Sequence, residues 1–375
     1  MLRRAAAVLG LHCLLATATA LPPGAVAAGK PALPPPAGFF GVAPQDWLTD
    51  RDAEYMVAGG IETIRWPVEW AGAQPSGSSP YGWGQLDRTL MVATRHGLRV
   101  QPFIVGTPSW LAGSTLDLPL GSPEARQEWA RYLEAAARRY GPGGEFWTEH
   151  APGGSSKEPP ITNPMPIESW QIWNEANFFY FSNPATPRAY ARLLRISAPA
   201  IRAGNPNAKV IASGLFGLPG KRSGGNLPAA KFLQRLYRIP GTKKLFDAVA
   251  LHPYAGTVSE FEQMVTEFHR VTVRNHDPVP LYITEMGWGS QFDPNVVSFE
   301  RGYRGQARSL RKAYRFLIGN QQALNLQGVF WFSWKDIPGS CDYCDSVGLF
   351  GGGAGFNPKP AWSALVGMTH GRLRP

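Results

Sequence analysis

The sequence predicts an α/β protein, folded as a single (β/α)8 TIM barrel with extended loops. Short apolar runs alternate along the chain with segments of helical apolar spacing, which is the pattern of βα units around a parallel sheet. Eight alternations in one chain of 375 residues favour a closed barrel over an open doubly wound sheet. The first βα turn, G-V-A-P-Q-D, also lacks the glycine pattern that binds phosphate in many open sheets.

The individual elements follow from the apolar runs and from helix start signals. We predict strands over residues 39–42, 61–65, 99–105, 168–173, 209–214, 248–252, 281–285 and 329–333. We predict helices over residues 50–58, 85–96, 123–140, 186–204, 229–237, 258–274, 299–320 and 360–369. Asp50 and Ser122 are the predicted N-caps of two helices, and Pro123 suits a first helical position.

Two long insertions interrupt this alternation. Residues 141–164 precede strand four and should therefore lie at the bottom of the barrel. Residues 336–358 follow strand eight and should lie at the mouth, where functional loops collect.

Residues 1–27 have the features of an export signal. Two arginines precede a largely apolar stretch (residues 5–20), and small-residue cleavage patterns follow it. That stretch is short for a membrane-spanning helix and no other segment is apolar enough, so we expect no stable membrane insertion. The proline-rich residues 28–37 form a predicted linker to a catalytic domain over residues 38–375. We expect a secreted, extracellular protein, with association with the cell surface as an alternative.

Composition narrows the class of partner. The content of 44% hydrophobic and 17% charged residues excludes long disorder and a membrane bundle. The net charge of +10 fits an acidic polysaccharide or a negatively charged cell surface, and equally an arginine-rich genome. No basic run interleaves with aromatic residues, so we expect no nucleic-acid partner. The 13 Trp, 12 Tyr and 19 Phe suit stacking on sugar rings, although large barrels are rich in aromatic residues anyway.

Two cysteines remain beyond the export signal, in the sequence C-D-Y-C. Because an exported protein meets an oxidising environment, we predict a disulfide between Cys341 and Cys344. A metal site would need more ligands than the adjacent Asp342 and Asp345, and no strand–helix context supports a thioredoxin-like redox pair. We expect neither a metal nor an organic cofactor.

Two glutamates stand at the ends of predicted strands. The sequence W-Q-I-W-N-E-A-N places Asn174 and Glu175 after strand four, and L-Y-I-T-E-M-G-W places Glu285 at the end of strand seven. In a barrel these strand ends share the active-site face. Hydrolysis of a glycosidic bond needs one carboxyl group that donates a proton and another that stays ionised. A lone glutamate there is more often a solvated or salt-bridged residue. The residues around it therefore determine whether a catalytic role is indicated.

Residues at other strand ends support this pair. Arg65 ends strand two, where its charge would hold Glu285 ionised. His252 and Tyr254 end strand six in L-H-P-Y, and the tyrosine hydroxyl would keep the pKa of Glu285 low. Trp334 follows strand eight and would form the floor of a sugar subsite. Each residue alone is compatible with core packing, but five such strand ends together favour a site.

The remaining candidates have simpler structural explanations. Glu69 and Asp336 follow strands two and eight, where they would line a subsite or, more simply, shape loops. Asn177 would orient Glu175 or cap the following turn. Core burial explains the candidate stacking platforms equally well; they are Trp66, Trp110, Trp288 and residues 178–180.

This set of residues resembles the catalytic signature of glycoside hydrolase clan A, the retaining (β/α)8 enzymes with carboxylates after strands four and seven. The resemblance implies that Glu175 is the general acid/base, that Glu285 is the nucleophile and that Asn174 contacts the sugar 2-hydroxyl. It implies four further sugar-site positions, Arg65, His252, Tyr254 and either Trp334 or Trp331.

Within the clan, families 39 and 5 are the most similar, and the resemblance covers about residues 38–370. The T-P-S-W after strand three, which ends at Trp110, and the G-L-F…K-P-A-W of residues 348–362 resemble family 39. Family 39 xylosidases usually carry an accessory β-sandwich, for which these 375 residues leave no room. We therefore expect a compact single-domain subgroup, with a microbial exopolysaccharide as a candidate substrate.

The combined expectation is a secreted retaining glycosidase. It would cleave O-glycosidic bonds, of β configuration, in a poly- or oligosaccharide by double displacement. Transglycosylation by the same residues is one alternative, and product analysis with an added acceptor would identify it. A non-catalytic polysaccharide-binding barrel is another, and binding without turnover would identify that.

Overall fold

Eight parallel strands follow one another in chain order around a barrel that closes because β1 pairs with β8. The computed structural model describes residues 34–218, 226–291, 299–339, 344–353 and 355–375. The strands are β1 (Phe40–Ala43), β2 (Thr63–Glu69), β3 (Arg99–Val105), β4 (Ser169–Ile172), β5 (Lys209–Phe216), β6 (Ala248–His252), β7 (Leu281–Met286) and β8 (Leu326–Phe332). The predicted (β/α)8 barrel is confirmed, and every predicted strand overlaps an observed one.

Helices connect the strands. They are α1 (Asp50–Ala58), α2 (Trp70–Ala73), α3 (Gly84–Arg95), α4 (Pro123–Tyr140), α5 (Glu145–Glu149), α6 (Pro187–Gly204), α7 (Ala229–Tyr237), α8 (Val258–Arg274), α9 (Gly302–Gly319) and α10 (Pro360–Thr369), with a 3-10 helix at Thr242–Lys244. The eight predicted helices are all present. Helices α2 and α5 and the 3-10 helix were not predicted, because three to five residues are too few to show an apolar period.

Helix α1 is capped by Thr49, so the prediction of Asp50 as its N-cap is wrong. The Thr49 hydroxyl accepts from the backbone N–H of Asp52 at 3.1 Å, and the Asp52 carboxylate accepts from the backbone N–H of Thr49 at 3.2 Å. Asp50 instead lies in the first turn and pairs with Arg95 at 2.8 Å. Helix α4 begins as predicted, with Ser122 as N-cap.

Strand β2 continues past the predicted end at Arg65 to Glu69. Pro67, which cannot donate a ladder hydrogen bond, lies within this strand. Its register partner is Phe103 of β3, whereas the register of β2 with β1 covers Thr63 and Ile64. Arg65 therefore lies inside the strand, and its side chain is 1% exposed.

The two insertions lie at the predicted ends of the barrel. Pro164, at the end of the first insertion, lines a cavity of about 410 Å³ together with Thr63, Arg99 and Ser169, which are the first residues of their strands. Ile337, in the second insertion, lines a cavity of about 620 Å³ together with residues at strand C-terminal ends. The loop after β8 therefore forms part of the mouth.

Residues Pro35–Pro375 form one compact unit. The predicted export signal and most of the predicted linker lie outside the described residues. Among the helices that the structure describes, none is long and apolar enough to cross a membrane.

We predict that Thr49→Ala destabilises the protein by about 0.5–2 kcal/mol, because it removes the α1 cap. Urea unfolding of the purified protein measures this change. Thr49→Ser keeps the hydroxyl and should remain close to wild type. Equal stability of the alanine and serine variants would contradict the assignment.

Candidate active site

Six residues predicted from strand ends come together at the barrel mouth; they are Arg65, Asn174, Glu175, His252, Tyr254 and Glu285. Three of them, Arg65, Asn174 and Glu285, lie in the wall of the 620 Å³ cavity. The other three contact those residues or one another. The site is therefore a layer of hydrogen-bonded side chains with Glu285 at its open side.

Both oxygens of Glu285 accept hydrogen bonds from fixed donors. Arg65 Nη1 donates to Oε1 at 2.6 Å, and the Tyr254 hydroxyl donates to Oε2 at 2.8 Å. Arg65 Nη2 also donates to Asn174 Oδ1 at 2.8 Å, and its guanidinium lies 3.8 Å from the centre of the Phe103 ring. These contacts fix the orientation of the Glu285 carboxylate and place a positive charge beside it.

Glu175 is held on one oxygen only. Its Oε1 lies 2.8 Å from His252 Nδ1, whereas its Oε2 is buried and has no hydrogen-bond partner among the described residues. One oxygen of Glu175, one oxygen of Glu285 and a ring nitrogen of His252 all lie within 4.8 Å of one another. The two carboxyl groups are therefore neighbours whose surroundings differ.

The backbone at the end of β4 is strained. Trp173 has φ of 68° and Glu175 has φ of 42°, values in the left-handed region that non-glycine residues rarely adopt. The Glu175 N–H donates to Gly214 O at 3.1 Å, and the Trp173 indole N–H donates to Phe181 O at 2.7 Å. Such conformations persist where surrounding contacts over-determine them, and they concentrate at functional sites.

Asn177 stabilises the turn that follows Glu175 through three hydrogen bonds. Its side-chain N–H groups donate to Phe216 O and Leu227 O, both at 2.8 Å, and its oxygen accepts from the Phe216 N–H at 2.9 Å. The sequence left open whether it orients Glu175 or caps a turn. Asn177 bonds to the backbone at the end of β5 and beyond it, so any effect on Glu175 acts through the backbone.

His252 occupies a space that depends on Gly214. Its ring is fully buried, and Nε2 lies 2.9 Å from Thr284 Oγ1. A Cβ at position 214 would lie 2.1 Å from His252 Nε2 and 2.6 Å from Thr284 Oγ1, so a larger residue would displace both side chains. Sequence reasoning missed Gly214 and Thr284. A glycine inside a strand was the available signal, since it often marks a close approach.

Burial and charge set the protonation of the two glutamates. Burial raises the pKa of Glu285, while Arg65 and the Tyr254 hydrogen bond act in the opposite direction. Burial and the charge of Glu285 raise the pKa of Glu175 well above its usual value, against a lowering by Arg65. The expected low pKa of Glu285 is thus wrong, because burial outweighs both contacts. Since the pKa of Glu175 is raised further, the first proton resides on Glu175.

The aromatic residue that β8 supplies to the cavity is Phe332, not Trp334. Strand β8 ends at Phe332, which lies in the cavity wall. Trp334 is 3% exposed, and its indole N–H donates to Asp52 Oδ1 at 2.8 Å, so it is fixed to α1 beside a separate cavity of about 320 Å³. Trp331 is also buried and donates to Val347 O at 3.1 Å. The prediction of Trp334 or Trp331 beneath the sugar is therefore corrected.

The other tryptophan candidates also lie away from the cavity wall. Trp66 and Trp288 are buried in the core, and the indole N–H of Trp110 donates to Gln74 O at 3.0 Å. Among the residues after Glu175, by contrast, side chains 179, 180 and 181 are exposed. Of these, Phe181 lines the cavity.

The two acidic candidates near strand ends have different surroundings. Glu69 lines the cavity. Asp336 accepts from Lys359 Nζ at 2.5 Å and from the Gly348 N–H at 2.9 Å, so it shapes the loop after β8. Cys344 is disulfide-bonded and lies in the cavity wall, whereas Cys341, its predicted partner, lies outside the described residues.

A metal is poorly suited to this site. Glu175, His252 and Glu285 form the one group of at least three His, Cys, Asp or Glu side chains in the described part of the chain that could reach a shared ion. The Arg65 guanidinium, 2.6 Å from Glu285, already supplies a positive charge there and would repel a cation.

Comparison with known proteins identifies the fold. No protein-family model matches the chain, and no curated protein matches its sequence. Among solved structures, a family 39 glycoside hydrolase from Bacteroides cellulosilyticus WH2 is similar over 90% of this chain, at 18% identity and a TM-score of 0.66. This chain spans 64% of that protein's length.

Two further structures extend the likeness to families 39 and 5. A family 39 β-xylosidase from Caulobacter crescentus has 18% identity and a TM-score of 0.59, with 89% of this chain and 72% of that chain covered. A family 5 enzyme from Streptomyces cattleya, solved with GlcNAc, has 16% identity and a TM-score of 0.63, with 90% and 80% covered. The chain has the fold of these glycoside hydrolases. At these identities the likeness confirms the predicted resemblance in fold.

We predict that Glu175 makes stability fall as pH rises. A carboxyl whose pKa is raised in the folded state keeps a proton that the unfolded chain releases above about pH 4.3, the ordinary glutamate value. The free energy of unfolding should therefore decrease between that pH and the raised pKa of Glu175. In Glu175→Gln this decrease should be smaller.

Urea unfolding at a series of pH values tests this. Glu158→Gln, at an exposed loop position, is the matched control and should keep the wild-type slope. A wild-type slope in Glu175→Gln would show that Glu175 is not protonated in the folded protein.

Proposed function

We propose that this protein is a secreted retaining glycosidase that cleaves β-O-glycosidic bonds by double displacement. The main observation that supports this proposal is that the two neighbouring glutamates have different hydrogen-bond surroundings. Glu285 accepts hydrogen bonds from Arg65 and Tyr254 on both oxygens, whereas Glu175 is buried and one of its oxygens has no partner in the described part of the chain. The first arrangement suits a charged nucleophile and the second suits a protonated acid.

The spacing of the two carboxyl groups supports retention of configuration. Retaining enzymes hold them about 5–5.5 Å apart, whereas inverting enzymes leave about 6.5–9.5 Å for a water molecule. The approach of the Glu175 and Glu285 oxygens to within 4.8 Å fits the closer arrangement.

In the proposed first step, a Glu285 oxygen bonds to the anomeric carbon and the bond to the leaving oxygen breaks. Glu175 gives its proton to that oxygen. The covalent intermediate removes the charge of Glu285, so the pKa of Glu175 falls and its carboxylate becomes a base. A water molecule then attacks the anomeric carbon and gives its proton to Glu175, and Glu285 is released. Asn174, held by Arg65, would contact the sugar hydroxyl next to the anomeric carbon.

The similar structures support a β-linked sugar as the substrate. They include the β-xylosidase above and an exo-β-1,4-mannosidase from an Opitutaceae bacterium, which is 16% identical over 90% of this chain. Secretion is supported by the composition of residues 1–27. A poly- or oligosaccharide is favoured by the exposed aromatic side chains that follow Glu175.

An aromatic segment after Glu175 supports binding on the leaving-group side. The Phe178 N–H donates to Glu175 O at 2.8 Å, so this turn begins at the proposed acid. Phe179, Tyr180 and Phe181 are 38%, 54% and 41% exposed, although such side chains normally lose water contact on folding. Because the acid must reach the leaving oxygen, sugar rings beyond the cleaved bond would pass over this segment and stack on it.

We predict that Glu175→Gln lowers kcat/KM by about 10²–10⁴-fold and that Glu285→Gln lowers it at least as much. A screen of aryl β-glycosides and of bacterial and plant polysaccharides identifies the substrate. NMR of the first-formed product then reports its anomeric configuration. Glu158→Gln is the matched control and should remain fully active.

Two results would overturn the proposal. An inverted first product would exclude double displacement, and near-normal activity of either glutamine variant would remove that residue from its role.

We predict that Tyr180→Ala lowers kcat/KM on an oligosaccharide of the identified sugar by about 2- to 10-fold, because one ring contact is lost. The effect should be much smaller on the glycosyl fluoride of that sugar, which has no leaving sugar to stack. Tyr303→Ala removes an equally exposed ring from α9 and serves as the control. An equal loss on both substrates would place Tyr180 outside the leaving-group side.

A further inference from the structure

The His252 ring has fewer N–H groups than hydrogen-bond partners. Burial and the charge of Arg65 lower its pKa well below the usual histidine value, so the ring is neutral and carries one N–H. It nevertheless has two hydrogen-bond partners, Glu175 Oε1 at 2.8 Å from Nδ1 and Thr284 Oγ1 at 2.9 Å from Nε2. The ring can therefore donate to only one of them and must accept from the other.

The two tautomers have opposite consequences for Glu175. If Nδ1 carries the proton, it donates to Oε1, and the acidic proton of Glu175 resides on Oε2, for which the described residues supply no partner. If Nε2 carries the proton, Nδ1 is an acceptor and takes the Glu175 proton in a hydrogen bond from Oε1. Only the first tautomer leaves the proton of Glu175 available to a leaving oxygen.

Thr284 can select between these tautomers. Its side chain is fully buried, and His252 Nε2 is the one hydrogen-bond partner of its hydroxyl among the described residues. A hydroxyl that accepted from Nε2–H would leave its own proton buried without an acceptor, which is costly. A hydroxyl that donates to Nε2 satisfies its own proton and leaves the ring N–H on Nδ1.

We propose that Thr284 is a positioning residue that donates to His252 Nε2, holds the ring as its Nδ1–H tautomer and thereby keeps the Glu175 proton on Oε2. The proposal rests on the proposed function, since it concerns the acid of that reaction. Gly214 contributes by leaving the space in which the hydroxyl and the ring meet. His252 transfers no proton itself; its N–H donates to Glu175 whether that residue is protonated or ionised.

The charged groups around His252 are compatible with this role. Arg65 of β2 disfavours a protonated ring, and Glu285 Oε2 of β7 lies 3.5 Å from Nδ1, on the side of the proposed N–H. The Tyr254 ring packs at 6.4 Å, and its hydroxyl donates to Glu285 rather than to the imidazole. The Glu285 carboxylate therefore favours a proton on Nδ1, in agreement with donation from Thr284 to Nε2.

The first test needs no substrate. Nitrogen-15 NMR of the histidine rings, with the His252 signals assigned by comparison with His252→Asn, reports which ring nitrogen carries the proton. We expect Nδ1–H in wild type and in Thr284→Ser, and a shift toward Nε2–H in Thr284→Val. An Nε2–H ring in wild type, or an unchanged tautomer in the valine variant, would overturn the proposal whatever the activity of the protein.

The second test uses the aryl glycosides that the substrate screen identifies. Thr284→Val should lower kcat/KM by about tenfold for a poor leaving group, which needs the acid, and much less for a dinitrophenyl glycoside, which does not. Thr284→Ser should restore activity. Thr89→Val, which removes a buried hydroxyl in α3, is the control. An equal loss on both glycosides, or no rescue by serine, would show a structural role only.

Discussion

The buried contact between Arg65 and Glu285 is the constraint on which the mouth of the barrel depends. A guanidinium that is 1% exposed must be neutralised and hydrogen-bonded, and Glu285 and Asn174 accept from its two terminal nitrogens. Removing one member of such a pair typically costs about 3–5 kcal/mol, because the other charge stays buried. The same contact therefore joins β2 to β7 and to the end of β4, and it orients the side chain at the open side of the site.

The position of Glu175 is energetically unfavourable in three ways. Its backbone lies in the left-handed region, its carboxyl is buried beside another carboxyl, and one of its oxygens accepts no hydrogen bond from any residue that the structure describes. The surrounding scaffold compensates: Gly214 accepts from its N–H, and Asn177 ties the following turn to β5. An acid on the surface would need none of this support. The contacts around Glu175 therefore use folding free energy to hold one protonated group in an unfavourable position.

Much of the fold could be predicted because βα periodicity is a local signal. The eight strands and the strand-end residues followed from it, and the register of the barrel then placed Arg65, Tyr254 and Glu285 within contact. The predictions that were wrong have a common cause. Each depends on the residue at which a strand ends or on which side chains pack across the barrel. Strand β8 ends one residue earlier than predicted, so Phe332 reaches the cavity while Trp334 turns toward Asp52.

Contacts between non-adjacent strands were similarly hidden in the sequence. Gly214 of β5 matters only because His252 of β6 and Thr284 of β7 occupy the space beside it. Thr284 directly precedes Glu285 in the sequence, and both side chains lie beside the His252 ring, at Nε2 and Nδ1 respectively. The register of β7 against β8 is irregular here, so strand alternation alone could not have predicted these contacts.

The net positive charge of the chain is not matched by free positive charge in the described wall of the cavity. The chain carries a net charge of +10, but among the described residues in the wall of the 620 Å³ cavity Arg65 is the one cation, and Glu285 and Asn174 accept its hydrogen bonds. The described wall otherwise contains Glu69 and several apolar rings, including Phe103, Phe181 and Phe332. An acidic sugar at the point of cleavage would thus meet the Glu285 carboxylate and, among the described residues of this wall, no free cation. The apolar rings suit the faces of a pyranose, so the described wall gives no reason for a negatively charged sugar at the cleaved bond.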